Sequence, residues 1–282
     1  MPSSASGWHL RLFEKSILKQ AKLREVLLLL GPTDGLDCLD LGSDNGVISF
    51  LLRRRGGRWW SADLAEKSVA AIQELVGERV VRVDGASLPF ADASLDAVLV
   101  LDMLEHVRTD RELLADVARV LRPGGAAVVN VPHSRRLEPL RPLRERLGLT
   151  DAWHGHLRHG YTLGELQALL PPELRVVRTR SYARFFSELL DTVLNAAYAR
   201  RGRSAGPEAG RPAAAETEKG TVVTGEDLER HRKAFRLLSR AYPALWLVSR
   251  LDLLIPFTSG SLLLVRLEKE PPARRTASGL AA

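Results

Sequence analysis

The chain has 282 residues, 45% of them hydrophobic, which is enough for one sizeable core or for one core with an appended subdomain. Its formal net charge of +7 permits attraction to nucleic acid or anionic lipid but demonstrates neither. The single cysteine, Cys38, excludes a disulfide within the chain and so excludes a disulfide-stapled fold, in keeping with a reducing compartment.

The N-terminal segment Trp8–Leu30 predicts a helix or a pair of helices, because Trp8, Leu12 and Ile17 recur near helical spacing. We expect this apolar stripe to cover the core, with membrane contact as the alternative.

No export or membrane-spanning signal is visible in the sequence. The first 16 residues lack an apolar stretch followed by a cleavage site. The longest apolar regions, 25–31 and 241–257, fall short of the roughly 20 residues that a spanning helix needs. We therefore expect a cytoplasmic protein, with association to the inner face of a membrane as the alternative.

Asp40–Gly46 is the most informative stretch of the chain. It follows the apolar run at Cys38 and precedes a helical pattern at 47–52, so it predicts a strand, a glycine turn and a helix, as at the start of a nucleotide-binding α/β unit. A nicotinamide fingerprint would place glycines at 42, 44 and 47, but Asp44 and Val47 occupy two of these positions. The signature of a phosphate-binding loop is also missing, so the turn suits a cofactor without phosphates.

Three further predicted strands each end at an acid. Ligands bind at the carboxyl ends of strands in parallel sheets, so these acids are expected at one site. The strands and their acids are Arg58–Ala62 with Asp63, Arg79–Val83 with Asp84, and Leu95–Leu101 with Asp102.

From about Arg24 to Ser181 the chain resembles the class I S-adenosylmethionine-dependent methyltransferases. The matching pieces, in order, are CLDLGSDNG, SADL, VRVDGASLPF, LDAVLVLDMLEHV, VLRPGGAAVVNVP and GHLRHGYTLGEL. The resemblance implies a Rossmann-like α/β fold: a seven-stranded, mostly parallel sheet with helices on both faces. A helical insertion is expected before the last strand.

The resemblance also implies S-adenosylmethionine as the cofactor and assigns residues to it. Asp40 and Gly42 would lie near the methionine part, Asp63 would accept both ribose hydroxyls, and Asp84 would accept from the adenine amino group. Asp44 stands where the family usually has glycine. As an alternative, the acids are strand-end caps or solvated turn residues. The implied cofactor-binding set is Asp40, Gly42, Ser43, Gly46, Asp63, Leu64, Asp84, Gly85, Ala86 and Asp102.

Asp102, Glu105 and His106 follow strand four at i, i+3 and i+4, so they would share one face of a helical turn. This element resembles that of ubiquinone-pathway O-methyltransferases and small-RNA 2′-O-methyltransferases, although Asp102 replaces the usual glutamate. One interpretation is a divalent metal, Mg²⁺ or Mn²⁺, held by Asp102, Glu105, His106 and His156, with His154 as the alternative last ligand. A second makes His106, with Glu105, the catalytic base or substrate contact, and a third is purely structural.

The chain after strand five is less regular. A turn is predicted at Leu121–Gly125, strand five at Ala126–Val131, and then a long polar connection, 132–162. Its arginines indicate a solvated basic loop or contact with an anionic substrate or lipid head groups, and His133 and His159 are expected on the surface or fixing the loop. The arginines are Arg135, Arg136, Arg141, Arg144 and Arg146.

Thr162 and Glu165 predict a capping box that opens a helix ending at Pro171. Strand six is predicted at Leu174–Arg180, a helix from Gly225 toward Arg240, and strand seven at Ser261–Leu267. The predicted units are an N-terminal helical segment at 1–30, a cofactor-binding core at 31–182, a helical insertion at 183–258 with a flexible loop at 201–222, the last strand at 259–269, and a disordered tail at 270–282.

The leading functional prediction is a methyltransferase acting on a small or lipid-like acceptor at oxygen, with peripheral contact to an anionic membrane as a further expectation. An RNA methyltransferase is the alternative, since Gly42–Asn45 resembles the turn of some tRNA adenine methyltransferases. Nucleic acid is the less favoured partner, because an Asn/Asp-Pro-Pro-Tyr/Phe element and an aromatic-interleaved basic surface are missing. A non-catalytic, membrane-associated module is the third interpretation.

Overall fold

The computed structural model describes residues 7–204 and 232–271 and contains a single seven-stranded sheet in the order β3–β2–β1–β4–β5–β7–β6. All pairs are parallel except those of β7, which runs antiparallel to β5 and β6. The predicted fold class is confirmed. The strands are β1 Asp37–Leu41, β2 Arg58–Asp63, β3 Val80–Arg82, β4 Leu95–Leu101, β5 Leu121–Pro132, β6 Leu174–Tyr182 and β7 Leu262–Lys269.

Helices cover both faces of the sheet. The N-terminal segment forms a pair of helices, and the described part of the chain between β6 and β7 contains two more. The helices within the described ranges are α1 Gly7–Phe13, α2 Ile17–Leu30, α3 Val47–Arg53, α4 Glu66–Val76, α5 Asp110–Val120, α6 Arg141–Arg146, α7 Leu163–Leu169, α8 Phe185–Ser204 and α9 Arg232–Arg250.

The sheet separates two hydrophobic cores. In β4, Val98 and Val100 pack into the core covered by α5 and α7, whereas Leu99 and Leu101 pack into the core covered by α2 and α3. Because both faces of this strand are buried, its sequence is a continuous apolar run and not an alternating one. The turn after β1 and the carboxyl end of β4 therefore follow strands that are buried and packed on both faces.

Several predicted boundaries differ from the structure. Strand β5 begins at Leu121, not Ala126, because Leu121 already pairs with Leu95 before a register shift in β4. Strand β6 runs on to Tyr182 because it stays paired with β7 as far as Leu262. The capping box at Thr162 is present, with both reciprocal hydrogen bonds.

The predicted flexible loop at 201–222 is wrong at its start, since 201–204 complete the last turn of α8. Residues 205–222, the expected helix start at Gly225 and all but the first two residues of the predicted tail lie outside the described residues. The unit boundaries stay a prediction.

The two helices of the insertion are tied together by one carboxylate. Asp252 lies in a 3₁₀ turn, Leu251–Leu254, and is buried. It accepts hydrogen bonds from the backbone N–H groups of Arg184, Phe186 and Ser187, at 2.8 to 3.3 Å. These N–H groups stand at the start of α8, so Asp252 acts as its cap from a distant segment. Among residues 7–204 and 232–271, no helix combines the length and apolarity needed to cross a bilayer.

Candidate functional site

The turn after β1 is fixed by a buried carboxylate. Asp40 Oδ2 accepts hydrogen bonds from the hydroxyls of Ser43, at 2.8 Å, and Ser49, at 2.5 Å. Gly46 has a φ of 77°, and a Cβ there would lie 2.9 Å from the Ile72 Cα, a backbone atom of α4. The sequence thus places glycine where the chain adopts the left-handed conformation and where two backbones approach closely.

Asp63, at the carboxyl end of β2, is fully buried. Its Oδ2 accepts the backbone N–H of Asp44 at 3.0 Å, and its Oδ1 accepts that of Ala65 at 3.2 Å. A carboxylate has about four acceptor positions, so these two bonds orient Asp63 and leave acceptor capacity for a ligand's hydroxyls.

Asp44 takes over the glycine position by adopting the glycine conformation. Its φ is 54°, which a non-glycine residue rarely adopts. Its carboxylate pairs with Lys19 of α2, with 3.2 Å between Nζ and Oδ2. Helix α2 is therefore attached to the turn that the sequence marks as the cofactor site.

The end of β3 forms a second shallow turn. Asp84 is exposed, and its Oδ1 accepts the backbone N–H groups of Ser87 and Ala86, each at 2.9 Å. These hydrogen bonds hold the pKa of the Asp84 carboxyl below its usual value. Gly85 is packed so closely that a Cβ would lie 2.6 Å from the Val107 Cγ1 and 3.1 Å from the Leu64 Cδ2. Gly85, which the resemblance places beside the adenine ring together with Ala86, is thus packed tightly against Leu64 and Val107.

Asp102, at the end of β4, is held in a buried polar network. Its carboxylate pairs with Lys22 of α2 and accepts from the Asn130 side chain, and the Tyr182 hydroxyl donates to the Asn130 Oδ1 at 2.8 Å. Burial alone would lower the pKa of Lys22, but the Asp102 charge outweighs it and the pKa lies above its usual value. Asp102 has a φ of 47°, so the backbone itself is turned to present this carboxylate.

Asp102 was predicted to converge with Glu105 and His106, and this prediction is wrong for Asp102. Glu105, His106 and His156 each offer a ligand atom within 4.8 Å of the others, and Asp102 is not part of that group. Asp102 has a positive φ, and its carboxylate accepts hydrogen bonds from the side chains of Lys22 and Asn130. The structure also selects His156, not His154, as the histidine that joins Glu105 and His106.

Glu105 and His106 lie in a buried 3₁₀ turn, Leu104–His106. The His106 Nδ1 is 3.0 Å from the Gly155 carbonyl oxygen, so Nδ1 carries the proton and Nε2 the lone pair. The connection 132–162 is folded onto this turn, because the Leu157 N–H donates to the Glu105 carbonyl at 2.8 Å. His156 stands against His106 with 5.0 Å between ring centroids.

His154 stacks on the other side of His156, with 5.3 Å between ring centroids. Burial lowers the pKa of His154 to about 3 and also lowers that of His156. Both imidazoles are therefore neutral near pH 7, the state in which a ring nitrogen can accept a hydrogen bond or bind a cation.

A cavity of about 370 Å³ adjoins this histidine group. It is formed where the connection 132–162 meets α8 and the start of β7. Its walls are polar and charged, and they include His156 itself. The charged lining residues are Arg135, Glu138, Arg141, Arg144, Glu145, Asp151 and Glu188, and the further histidines are His133, His154 and His159.

Three of the five arginines of the connection pair with or lie near carboxylates, whereas Arg136 and Arg146 are exposed. The Arg135 side chain is 9% exposed and pairs with Glu188 of α8 at 2.7 Å, and Arg144 lies 3.8 Å from the same carboxylate. Arg141 pairs with Glu145 at 3.0 Å. Sequence reasoning missed Glu188 because no local pattern relates a glutamate in the insertion to an arginine 53 residues earlier.

The two remaining histidines of the connection, His159 and His133, fix the loop through hydrogen bonds. His159 lies between Glu138, at 2.8 Å, and Asp151, at 3.0 Å, which matches the expected loop-fixing role. His133 Nδ1 donates to the Gly260 carbonyl at 3.0 Å and joins the connection to the start of β7.

Residues 39–129 match the model of a family described as a methyltransferase domain. An uncharacterized methyltransferase of Mycobacterium sp. (strain KMS) is 37% identical over 97 residues, which are 34% of this chain and 38% of that protein. A demethylmenaquinone methyltransferase of Tropheryma whipplei (strain Twist) is 32% identical over 126 residues, 43% of this chain and 53% of that protein. A ubiquinone biosynthesis O-methyltransferase of Parvibaculum lavamentivorans is 30% identical over 99 residues, 33% of this chain and 39% of that protein. The chain thus matches between 38% and 53% of the length of these curated relatives.

Two solved structures share the fold over most of the chain. The [4+2]-cyclase SpnF covers 90% of this chain and 81% of its own, with a TM-score of 0.57 and 17% identity. A putative sarcosine dimethylglycine methyltransferase from Galdieria sulphuraria covers 90% of this chain and 86% of its own, with a TM-score of 0.55 and 16% identity. At these identities the likeness shows the fold alone. The family matches support S-adenosylmethionine as the cofactor predicted from the motifs.

Proposed function

We propose that this chain, in which residues 39–129 are a methyltransferase domain, transfers a methyl group from S-adenosylmethionine to an oxygen of a small or lipid-like acceptor. One observation carries the proposal. Asp40 and Asp63 lie near the carboxyl ends of strands in the same sheet whose strand β4 leads to Glu105 and His106. His156 lines the cavity, and its ring lies 5.0 Å from that of His106. A cofactor held by the first group and an acceptor held in the cavity would meet near His106.

The cofactor supplies an activated methyl group on a sulfonium, a good leaving group. The protein has two tasks: alignment, for which proximity is worth about 7–11 kcal/mol, and removal of the acceptor's proton. His106 suits the second task, since its Nδ1–H is directed to Gly155 and its Nε2 is the basic atom. With cofactor and acceptor bound, this nitrogen would take the hydroxyl proton of the acceptor during methyl transfer. General-base catalysis of this kind contributes about 10²–10⁴-fold.

The acceptor class follows from the position of the cavity. Its wall includes Glu188 of α8, and α8 packs on α9, where apolar side chains are exposed. An acceptor with a polar reacting end and an apolar body would place its polar end among the histidines and its body along the insertion. This arrangement supports a lipid-like acceptor.

A divalent cation is a second use of the same residues. Glu105 supplies a carboxylate and His106 and His156 supply imidazoles, a donor set that suits Mn²⁺ or Zn²⁺ and, with added water, Mg²⁺. We propose the metal as an alternative to general-base catalysis by His106. Activity that survives exhaustive EDTA treatment would remove it, and activity restored by one added metal would establish it.

An RNA acceptor has less support. Arg135, Arg141 and Arg144 face glutamates, so they present less positive charge to phosphates than the sequence suggested. RNA binding that weakens steeply with added salt would reverse this ranking.

The first experiment is calorimetry with S-adenosylmethionine and S-adenosylhomocysteine. Wild-type protein is expected to bind both, and Asp63→Asn is expected to lose at least about tenfold in affinity, because a ribose hydroxyl loses its charged acceptor. Asp37→Asn is the matched control, since it changes the same residue type at the other end of neighbouring β1. Folded wild-type protein that binds neither compound would move the non-catalytic interpretation to first place.

A further inference from the structure

The C-terminal part of the insertion exposes several large apolar side chains within a short stretch of sequence. Phe257 is 84% exposed, Leu254 72% and Leu247 64%. We call this group the apolar tip: Trp246, Leu247, Leu251, Leu253, Leu254 and Phe257. Such a concentration on a surface is typical of a contact site, whereas single exposed apolar residues are ordinary.

The same segment is strongly cationic. Helix α9 carries five basic residues and no acid. The one acid in 232–257 is Asp252, which is buried and accepts backbone hydrogen bonds at the start of α8. The basic residues are Arg232, Lys233, Arg236, Arg240 and Arg250.

Charge and apolar surface are arranged on one side of the helix. Arg236, Arg240 and Leu247 are exposed and fall on the same face at 3.6 residues per turn. Arg250 lies over the Trp246 ring, with 5.0 Å from its guanidinium carbon to the ring centroid. Arginine stems and tryptophan rings are suited to the boundary between lipid head groups and acyl chains.

We propose that residues 232–257 dock on an anionic membrane surface. The apolar tip enters the head-group and acyl boundary, and the basic residues of α9 face lipid phosphates. Charge decides between a bilayer and a second copy of this chain, because a symmetric dimer through this face would oppose the same cations. The proposal does not depend on methyl transfer, since it concerns a surface and not the cofactor site.

The test is co-sedimentation of the full chain, without cofactor, with vesicles of phosphatidylcholine alone or mixed with phosphatidylglycerol. We expect binding only to the mixed vesicles. Arg236→Glu with Arg240→Glu is expected to weaken it by roughly 25-fold or more, since each basic residue near such a surface contributes about fivefold. Leu254→Ser with Phe257→Ser is expected to weaken it by at least about tenfold.

Two variants serve as matched controls. Arg54→Glu with Arg55→Glu reverses two exposed charges in the turn after α3, and Leu137→Ser removes an apolar side chain that is 79% exposed. Both are expected to bind like wild type. Circular dichroism is used to check that every variant is folded. Absence of binding to mixed vesicles overturns the proposal, as does equal loss in the controls. Sedimentation velocity tests the alternative. If the wild type forms a dimer that Leu254→Ser with Phe257→Ser abolishes, and no vesicle binding is seen, the face belongs to a contact with a second copy of the chain.

Discussion

At the scale of single residues, the site depends on side chains whose roles are set by one hydrogen bond or one close contact. The Gly155 carbonyl fixes the tautomer of His106, and Asp63 is oriented by two backbone N–H groups. The sequence motifs alone identified His106 and Asp63 as candidate site residues. They did not reveal which nitrogen of His106 is basic, since Gly155 lies 49 residues further along.

His106→Gln tests the proposed base. Glutamine can still donate to the Gly155 carbonyl but is not basic, so we expect kcat to fall by about 10²–10⁴-fold with little change in cofactor affinity. Turnover with a saturating acceptor and calorimetry with S-adenosylhomocysteine separate the two quantities. Equal losses in kcat and in cofactor affinity would instead mean that His106 supports the cofactor site.

Gly46→Ala tests the close approach of the cofactor turn to α4. The new Cβ would lie 2.9 Å from the Ile72 Cα at a φ of 77°, so we expect roughly 2–4 kcal/mol loss in the free energy of unfolding. Gly77→Ala is a matched control with a φ of 86° and nothing within 4 Å, and it is expected to cost only about 1–2 kcal/mol. Urea unfolding measures both, and equal costs would mean that the contact with Ile72 is relieved without strain.

At the scale of elements, helix α2 closes the site as well as covering the core. Lys19 pairs with Asp44 at the exposed rim, and Lys22 reaches Asp102 in the interior. The sequence predicted the helix but assigned no role to its lysines. Their roles follow from the docking of α2 against the ends of β1 and β4.

Lys22→Met compared with Lys19→Met tests this closure. Removing Lys22 leaves the Asp102 charge without its cation, for which we expect a loss of about 3–5 kcal/mol in the free energy of unfolding. Removing Lys19 breaks a partly exposed pair and should cost no more than about 1 kcal/mol. Chemical denaturation with a common m-value supplies the comparison. Similar costs for the two variants would show that the Asp102 network does not depend on Lys22.

At the scale of the whole molecule, one sheet supports both halves of the proposed site. The cofactor residues come from β1, β2 and the segments after β3 and β4, whereas the cavity is formed by the connection after β5 and by α8. The cofactor part is encoded in short continuous motifs. The cavity part is assembled from segments that are far apart in the chain.

Cofactor binding is therefore expected to stabilise the folded protein as a whole. At about 100 times its dissociation constant, S-adenosylhomocysteine should add about 2.7 kcal/mol to the free energy of unfolding. Thermal unfolding with and without the compound checks this, and Asp63→Asn should show a smaller shift at the same concentration. A shift of equal size in the variant would place the compound elsewhere on the protein.

The sequence by itself indicated the fold class and the acids at the ends of the first four strands. These depend on local signals: apolar runs that become buried strands, glycines at positive φ, and acids at strand ends. Only the tertiary structure decided that Asp102 turns away to Lys22, that His156 joins Glu105 and His106, and that Arg135 pairs with Glu188. Each of these contacts joins residues 50 or more positions apart or depends on one backbone angle, and a local pattern specifies neither.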